Sequence, residues 1–459
     1  MKLHPVTKEV ISIDVTGPFA GQENVTRTFD VIRLLHSSPI LYGRGTRVWI
    51  VKDEIGKFFV LKDSWVVENK IISEIEFMQH IDRLLQDDDE GHLFKHSCPK
   101  YCIGQEKVWS TDVIRGNLQQ PGSMTRIQRR IVTGPIGDPI TSFRSKKEFI
   151  SVMLDVVNAL EFLYVKGGII HSDISMNNIM INRVWDCEPH ELPSRLRMLI
   201  CALRQLAIDA NDKDDDAALL TAIEASTTVT TEPQASTISV IQALTIDTST
   251  VHDTLPFMSI EALLGGVSGK YKHGPGHDLE SLLYTILTIC HYTVGPGGQL
   301  REAKSETKTI ELNKWFCMAN RQDLANEKTV TLLSFDRYIK EGLAPYWDDF
   351  APFLQELVNV TWDPTTRTLI GTPNIATHAA YRGILLKALV FYEKEETRSL
   401  APYAVVPTGK RSRSQFQLLL PQSKRLRLIN QGLASDEIIL PRPSVSRTLQ
   451  EYRCVIGAD

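Results

Sequence analysis

The sequence predicts an α+β chain of more than one lobe, with strands concentrated before residue 140 and helices after it. Three observations carry this. Runs rich in aromatic and β-branched residues occupy 41–51 (LYGRGTRVWIV), 56–65 (GKFFVLKDSW) and 129–140 (RRIVTGPIGDPI). Apolar residues at helical spacing follow at Phe149, Met153, Val156 or Val157, Leu160 and Leu163. The 459 residues also exceed what a single hydrophobic core usually serves.

Composition narrows the function classes. A net charge of −4 gives no general reason to expect nucleic-acid binding. Seven cysteines, an odd number in a long chain, read as reduced intracellular thiols rather than a disulfide framework. Cys98 and Cys102, with His92 and His96 nearby, match no tight zinc spacing. MKLHPVTKEV has no apolar run for a signal peptide, and no stretch is long enough to span a membrane, so the expectation is a soluble intracellular protein.

Taken in order, residues 1–40 read as a mixed N-terminal extension with a short amphipathic stretch from Thr28 to Leu35. In the first strand run, Gly43 and Gly45 sit where a backbone lacking Cβ atoms could approach a phosphate closely, while Val48 takes the place of a third glycine. Lys62 ends the apolar run Phe58-Phe59-Val60-Leu61. Twelve residues on, Glu74 opens a helical pattern with Phe77, Met78 and Ile81. A lysine held on a strand needs a counter-charge, which a facing helix supplies with Glu74; Glu76 is the other carboxylate to hand. An acidic loop over Gln86–Glu90, the strand at 129–140 with its Gly-Pro turn signals, and the helix bearing the apolar stripe come next. That helix delivers the chain to Gly168-Ile169-Ile170 and then HSDISMNNIM at 171–180, in which His171, Asp173 and Asn178 stand at H-x-D-x-x-x-x-N spacing.

Composition changes over 204–253. An acidic cluster (Asp209, Asp212, Asp214, Asp215, Asp216) gives way to a stretch in which roughly half the residues are Ser or Thr, which reads as a flexible insertion. Order resumes at TLPFMSIEAL (254–263); then come a Gly274-Pro275-Gly276 turn, His277-Asp278-Leu279-Glu280 and an apolar helix. A further helical region holds YWDDFAPFLQELVNVTWDPTTR (346–367), and after about 396 a polar tail carries two basic clusters, Lys410-Arg411-Ser412-Arg413 and Lys424-Arg425-Leu426-Arg427. Two basic clusters separated by an uncharged stretch have the form of a two-part nuclear import signal, so the expected location is nucleus or cytoplasm.

Together YGRGTRVW, VLKDSW, RRIVTGPIGDPITSF, IIHSDISMNNIM, DTLPFMSIEAL and HDLESLLYTIL, in this order over about 41–290, resemble the fungal-type protein kinase domain. The resemblance implies a two-lobed protein-kinase-like fold with a small β-rich N-lobe and hinge (41–137), a larger helical C-lobe (138–395) interrupted at 204–253, and a flexible tail (396–459). It implies ATP and Mg2+ as cofactors, a protein substrate, and no membrane or nucleic-acid partner. Carried over by position, Lys62 meets the α/β-phosphates with Glu74 as its pair, Gly43 and Gly45 flank the nucleotide, Asp173 takes the proton of the acceptor hydroxyl, and Asn178 holds magnesium. Asp278 becomes the helix carboxylate that supports the catalytic-loop backbone, and Arg367 the partner of Glu261.

Three positions depart from the family's pattern. Ser172 replaces the Arg that would pair with an activation-loop phosphate, and Ser175 stands where Ser/Thr kinases commonly have Lys. No Asp-Phe-Gly or Asp-Phe-Asp triplet occurs between 181 and 254. Where its Asp belongs, after Leu196-Arg197-Met198-Leu199-Ile200, stands Cys201; Asp209 and Asp212 are alternative metal ligands, and a continuous helix through 196–208 is the plainer expectation for this stretch. The sequence therefore supports a Ser/Thr-type protein kinase weakened by a missing metal ligand, a pseudokinase scaffold that retains nucleotide, and a small-molecule phosphotransferase, against which DTLPFMSIEAL speaks.

Overall fold

The computed structural model describes residues 1–38, 45–68, 73–116, 125–182, 197–200, 255–268, 272–301, 312–363 and 373–400, apart from a few single positions. Alternating burial builds the first region. Strands β1 (Lys2–Leu3), β2 (Val10–Phe19), β3 (Gln22–Ser37), β4 (Arg47–Lys52) and β5 (Phe58–Val67) form successive antiparallel pairs. Helix α1 (Glu74–Asp87) and the short α2 (Gly91–Phe94) intervene before β6 (Lys100–Ser110), a turn of helix α3 (Thr111–Arg115) and β7 (Arg126–Gly134). The seven strands make one sheet in the order β1-β2-β3-β4-β5-β7-β6. Period two sends Ile13, Val15, Phe29, Trp49, Val51, Phe59, Leu61, Ile103 and Val132 into a common apolar cluster. Each such side chain contributes about 1.5–3 kcal/mol by leaving water.

Residues 1–40, expected as an extension ahead of the small lobe, in fact supply three strands of its sheet. The amphipathic stretch Thr28–Leu35 lies within β3, where burial alternates residue by residue rather than recurring every three or four. The sheet curls far enough for its second strand to lie beside its last. Thr16 N–H donates to Gln105 Oε1 at 3.3 Å, and Arg130 Nη1 donates to the Asp14 carbonyl at 3.0 Å. Arg130 also pairs with Asp63 at 3.2 Å, both almost wholly buried.

After β7 the chain passes Gly134-Pro135, joined by a cis peptide, and a two-residue strand β8 (Asp138–Pro139) to the large lobe. Helix α4 (Lys146–Gly167) starts at Ser145, whose hydroxyl accepts from Glu148 N–H at 3.1 Å, and stops at Gly168 in the left-handed region (φ 61°). The whole apolar stripe of this helix is buried, Val156 and Val157 both included. The catalytic-type loop leads into β9 (Ile179–Asn182), which pairs antiparallel with β10 (Arg197–Ile200), Arg197 opposite Asn182 and Ile200 opposite Ile179. A helix through 196–208 is thus corrected at 197–200, where ladder pairing to β9 overrides local helical propensity.

The rest is helical: α5 (Ile260–Ser268), α6 (Pro275–Tyr292), α7 (Asn313–Cys317), α8 (Arg321–Leu333), a π-helical turn at Phe335–Ile339, α9 (Ala351–Thr361) and α10 (His378–Leu400). Helix α6 is buried on every side from His277 to His291 and forms the axis of this lobe. Phe149, Trp315, Trp347, Leu354 and Tyr381 pack with it in one large cluster. The final helix runs to Leu400, past the start expected for the tail. No helix among the described residues is long and apolar enough to cross a membrane.

Candidate active site

Strand β5 and helix α1 bring the first pair together. Leu61 turns into the sheet core, so Lys62 projects from the opposite face. Its Nζ lies 2.7 Å from Glu74 Oε1, with both side chains roughly a quarter exposed (27% and 21%). Glu76, the competing carboxylate, is engaged elsewhere: Ser73 N–H donates to its Oε2 at 2.6 Å while Glu76 N–H donates to Ser73 Oγ at 3.0 Å. This is a capping box, and its Ser-x-x-Glu spacing is readable in the sequence. Gly45 adopts φ 49°, and Val48 lies directly across the ladder from Lys62. Gly43 lies outside the described residues.

The loop at 171–178 is held from beneath by α6. Asp278 Oδ2 accepts from His171 N–H at 2.7 Å and Asp278 Oδ1 from Ser172 N–H at 2.8 Å. Ser172 has φ 62°, a conformation that costs a non-glycine residue on the order of 1 kcal/mol or more and persists only where neighbours over-determine it. The Asp278 carboxylate does so here. Burial pushes its carboxyl upward, but the His273 hydrogen bond, the charges of His273 and His171 and the Ser172 N–H prevail, leaving it below the ordinary value. His273 Nε2 stands 3.1 Å from Asp278 Oδ1. Nothing in the motif spacing points to His273; it precedes α6 and becomes recognisable only once the helix start is placed against the loop. Within the loop, Asn178 Nδ2 donates to the Asp173 carbonyl at 2.7 Å, which joins the two candidate catalytic residues into one turn. Asp173 itself is partly buried.

The segment entering α5 is tied to the same axis. Ile260 N–H donates to Glu280 Oε1 at 2.6 Å, and Lys328 Nζ, wholly buried over the Tyr284 ring, donates to the Met258 carbonyl at 2.5 Å. Glu261 meets His277 Nε2 at 2.8 Å; its expected partner Arg367 lies outside the described residues, as do Cys201, Asp209, Asp212 and both basic clusters. Among the described residues no group of three or more His, Cys, Asp or Glu could hold a metal, and Cys98 is buried. A neutral amide oxygen on Asn178 is a hard donor of the kind magnesium takes, and Lys62 is a cation suited to phosphate, so the residues present fit a nucleotide with its metal in part.

A curled sheet with a Lys–Glu pair, joined to a helical body that carries an H-x-D-x-x-x-x-N loop on a central-helix Asp, defines a two-lobed protein-kinase-like fold. The family model described as fungal protein kinase matches residues 87–290. That match contains the loop and α6 up to Cys290 but not Lys62 or Glu74. No curated protein matches the chain. Among solved structures, the chain is similar to the kinase domain of maize sucrose-induced receptor kinase 1 bound to AMP-PNP, at 12% identity, TM-score 0.35, covering 78% of this chain and 92% of that one.

Proposed function

We propose that this protein binds ATP with magnesium and transfers the γ-phosphoryl group to a protein hydroxyl, Ser or Thr, at a low rate. The observation that carries the reading is the Lys62–Glu74 pair at 2.7 Å on the face of β5 turned away from its core. A lysine so fixed offers a point charge to two phosphates with little ordering left to do on binding. Asp173 is the base for the acceptor hydroxyl, and Asn178, folded onto the Asp173 carbonyl, keeps its amide oxygen for the metal. Bound magnesium would neutralise charge on the phosphoryl group in flight.

The low rate follows from the sequence after β10. That strand ends at Ile200 opposite Ile179, one residue from Asn178, and the next residue is Cys201. A thiol is a poor partner for magnesium, which takes hard oxygen donors. Loss of one metal-binding carboxylate removes several kcal/mol of transition-state stabilisation, roughly a hundredfold or more in rate. The same cysteine supports the second reading, a pseudokinase scaffold that binds nucleotide and a partner protein without transfer.

Calorimetric titration of the full chain with an ATP analogue and magnesium, alongside a phosphotransfer assay with Asp173→Asn as control, tests both. Lys62→Ala should weaken analogue binding about tenfold or more, and unchanged affinity in that variant would discard the assignment. Cys201→Asp should raise turnover. Robust wild-type turnover abolished by Asp209→Asn or Asp212→Asn would instead place the metal ligand in the insertion and overturn the weak-enzyme reading.

A further inference from the structure

The Lys62–Glu74 pair depends on where α1 sits, and two contacts set that position from β6. Gly104 lies directly under the helix: a Cβ there would fall 2.6 Å from Ile75 Cδ1, so a larger residue would push the side chain of Ile75, the neighbour of Glu74, off its seat on the strand. Ile75 is itself buried. Two residues along, Glu106 accepts from the hydroxyl of Ser73, the residue that caps α1, and is paired in turn with Arg129 Nε at 2.8 Å. Strand β6 is therefore the floor and the end-stop of the helix that carries Glu74.

On its other side β6 has no further strand in the ladder order, and β2 fills that place. A Cβ on Gly17 would fall 1.9 Å from the Gly104 carbonyl oxygen, so the two backbones touch at the one point in β6 that lies beneath Ile75. Thr16 N–H reaches Gln105, and Asp14 is held by Arg130, on the β7 residue that pairs with Gln105. Three successive contacts of β2 thus bear on the stretch of β6 that supports α1. All of β2 and β3 lies ahead of the residues matched by the family model.

We propose that the N-terminal hairpin of β2 and β3 is a brace that sets the Lys62–Glu74 pair through β6, with Gly17, Gly104 and Ile75 as positioning residues. The consequence for nucleotide rests on the function proposed above; the mechanical coupling does not. Side chains that bias a packed element in this way change binding at a distant site by roughly two- to thirtyfold.

The test uses the full chain and two readouts. Gly17→Val, which drives a branched side chain into the Gly104 carbonyl, and the milder Gln105→Ala are each combined with Glu74→Gln; Ile32→Ser, on the exposed face of the same hairpin, is the control. Binding of an ATP analogue should weaken by roughly two- to thirtyfold in Gly17→Val, less in Gln105→Ala, and not at all in Ile32→Ser. In the Glu74→Gln background both should lose their effect, because the pair they act through is gone. Additive losses, or none, would overturn the brace. The second readout is the rate at which an amine-reactive ester acylates Lys62, followed by mass spectrometry, which needs no nucleotide. Faster labelling of Lys62 relative to Lys52 in Gly17→Val is expected; an unchanged ratio overturns the proposal even if the chain binds no analogue, a result that would refute only the nucleotide reading. Should Gly17→Val not fold, Gln105→Ala decides by the same two criteria.

Discussion

Two residues of α6 show how burial decides what a side chain does. Asp278, with three N–H donors around it, stays ionised deep in the fold and holds Ser172 in its left-handed conformation. His291, four turns along the same helix, has no such company. It is wholly buried, its Nδ1 lies 2.7 Å from the Leu287 carbonyl, and burial with the nearby Arg301 charge drives its pKa down to about 4 from 6.5. The fold therefore favours the neutral histidine. Its contribution is fully present above pH 6.5 and is lost as pH falls from there towards 4, because the unfolded chain takes up the proton first. The loss amounts to about 3 kcal/mol. Urea unfolding at a series of pH values should show this decline, and His291→Gln should flatten it in that window; an equal slope in both would show that His291 does not titrate there.

At the scale of elements, α1 is the piece on which the candidate site turns. Its capping residue Ser73 serves two neighbours, donating to Glu106 on β6 and accepting from Glu76 N–H. Ser73→Ala should cost about 1 kcal/mol of stability as a lost cap, read as a lower urea midpoint. It should also speed amide exchange across the first turn of α1, because the contact that seats that turn on β6 goes with it. A cap-sized loss of stability with no change in exchange at Glu74–Phe77 would mean that β6 does not seat the helix through Ser73. The helix itself is readable from Phe77, Met78 and Ile81 in the sequence. The choice of Glu74 over Glu76 is also legible afterwards, since a Ser-x-x-Glu capping box claims the second carboxylate for the backbone. Strand β10 has no such local mark: Arg197–Ile200 is as short as a helical turn, and only its partner β9 makes it a strand.

On the scale of the whole molecule, a sheet and a helical body are joined through the short run after β7, and the described helices end at Leu400. The sequence beyond carries Lys410–Arg413 and Lys424–Arg427, which we propose as a two-part nuclear import signal. Replacing both clusters with Ala in a fluorescent fusion should move the protein towards the cytoplasm, and an unchanged distribution would remove the idea.

Local spacing was enough to suggest that Lys62 meets Glu74 and that Asp173 and Asn178 share one loop, because a strand's period of two, a helix's of three to four and a loop's fixed number of residues are all properties of adjacent chain. The apolar stripe of α4 was legible for the same reason, as its burial follows from one face of one helix. What the sequence could not state is which distant segments meet. Residues 1–37 look like an extension until β2 is laid beside β6, a contact spanning 89 positions between Thr16 and Gln105. Two glycines, Gly17 and Gly104, are unremarked in the chain and gain their place only because two backbones and a helix converge on one point. His273 likewise acquires its place from Asp278, and Asp278 its place from a loop more than a hundred residues earlier. Such contacts are chosen by how curled sheets and buried helices fill space together, and no local pattern encodes that sum.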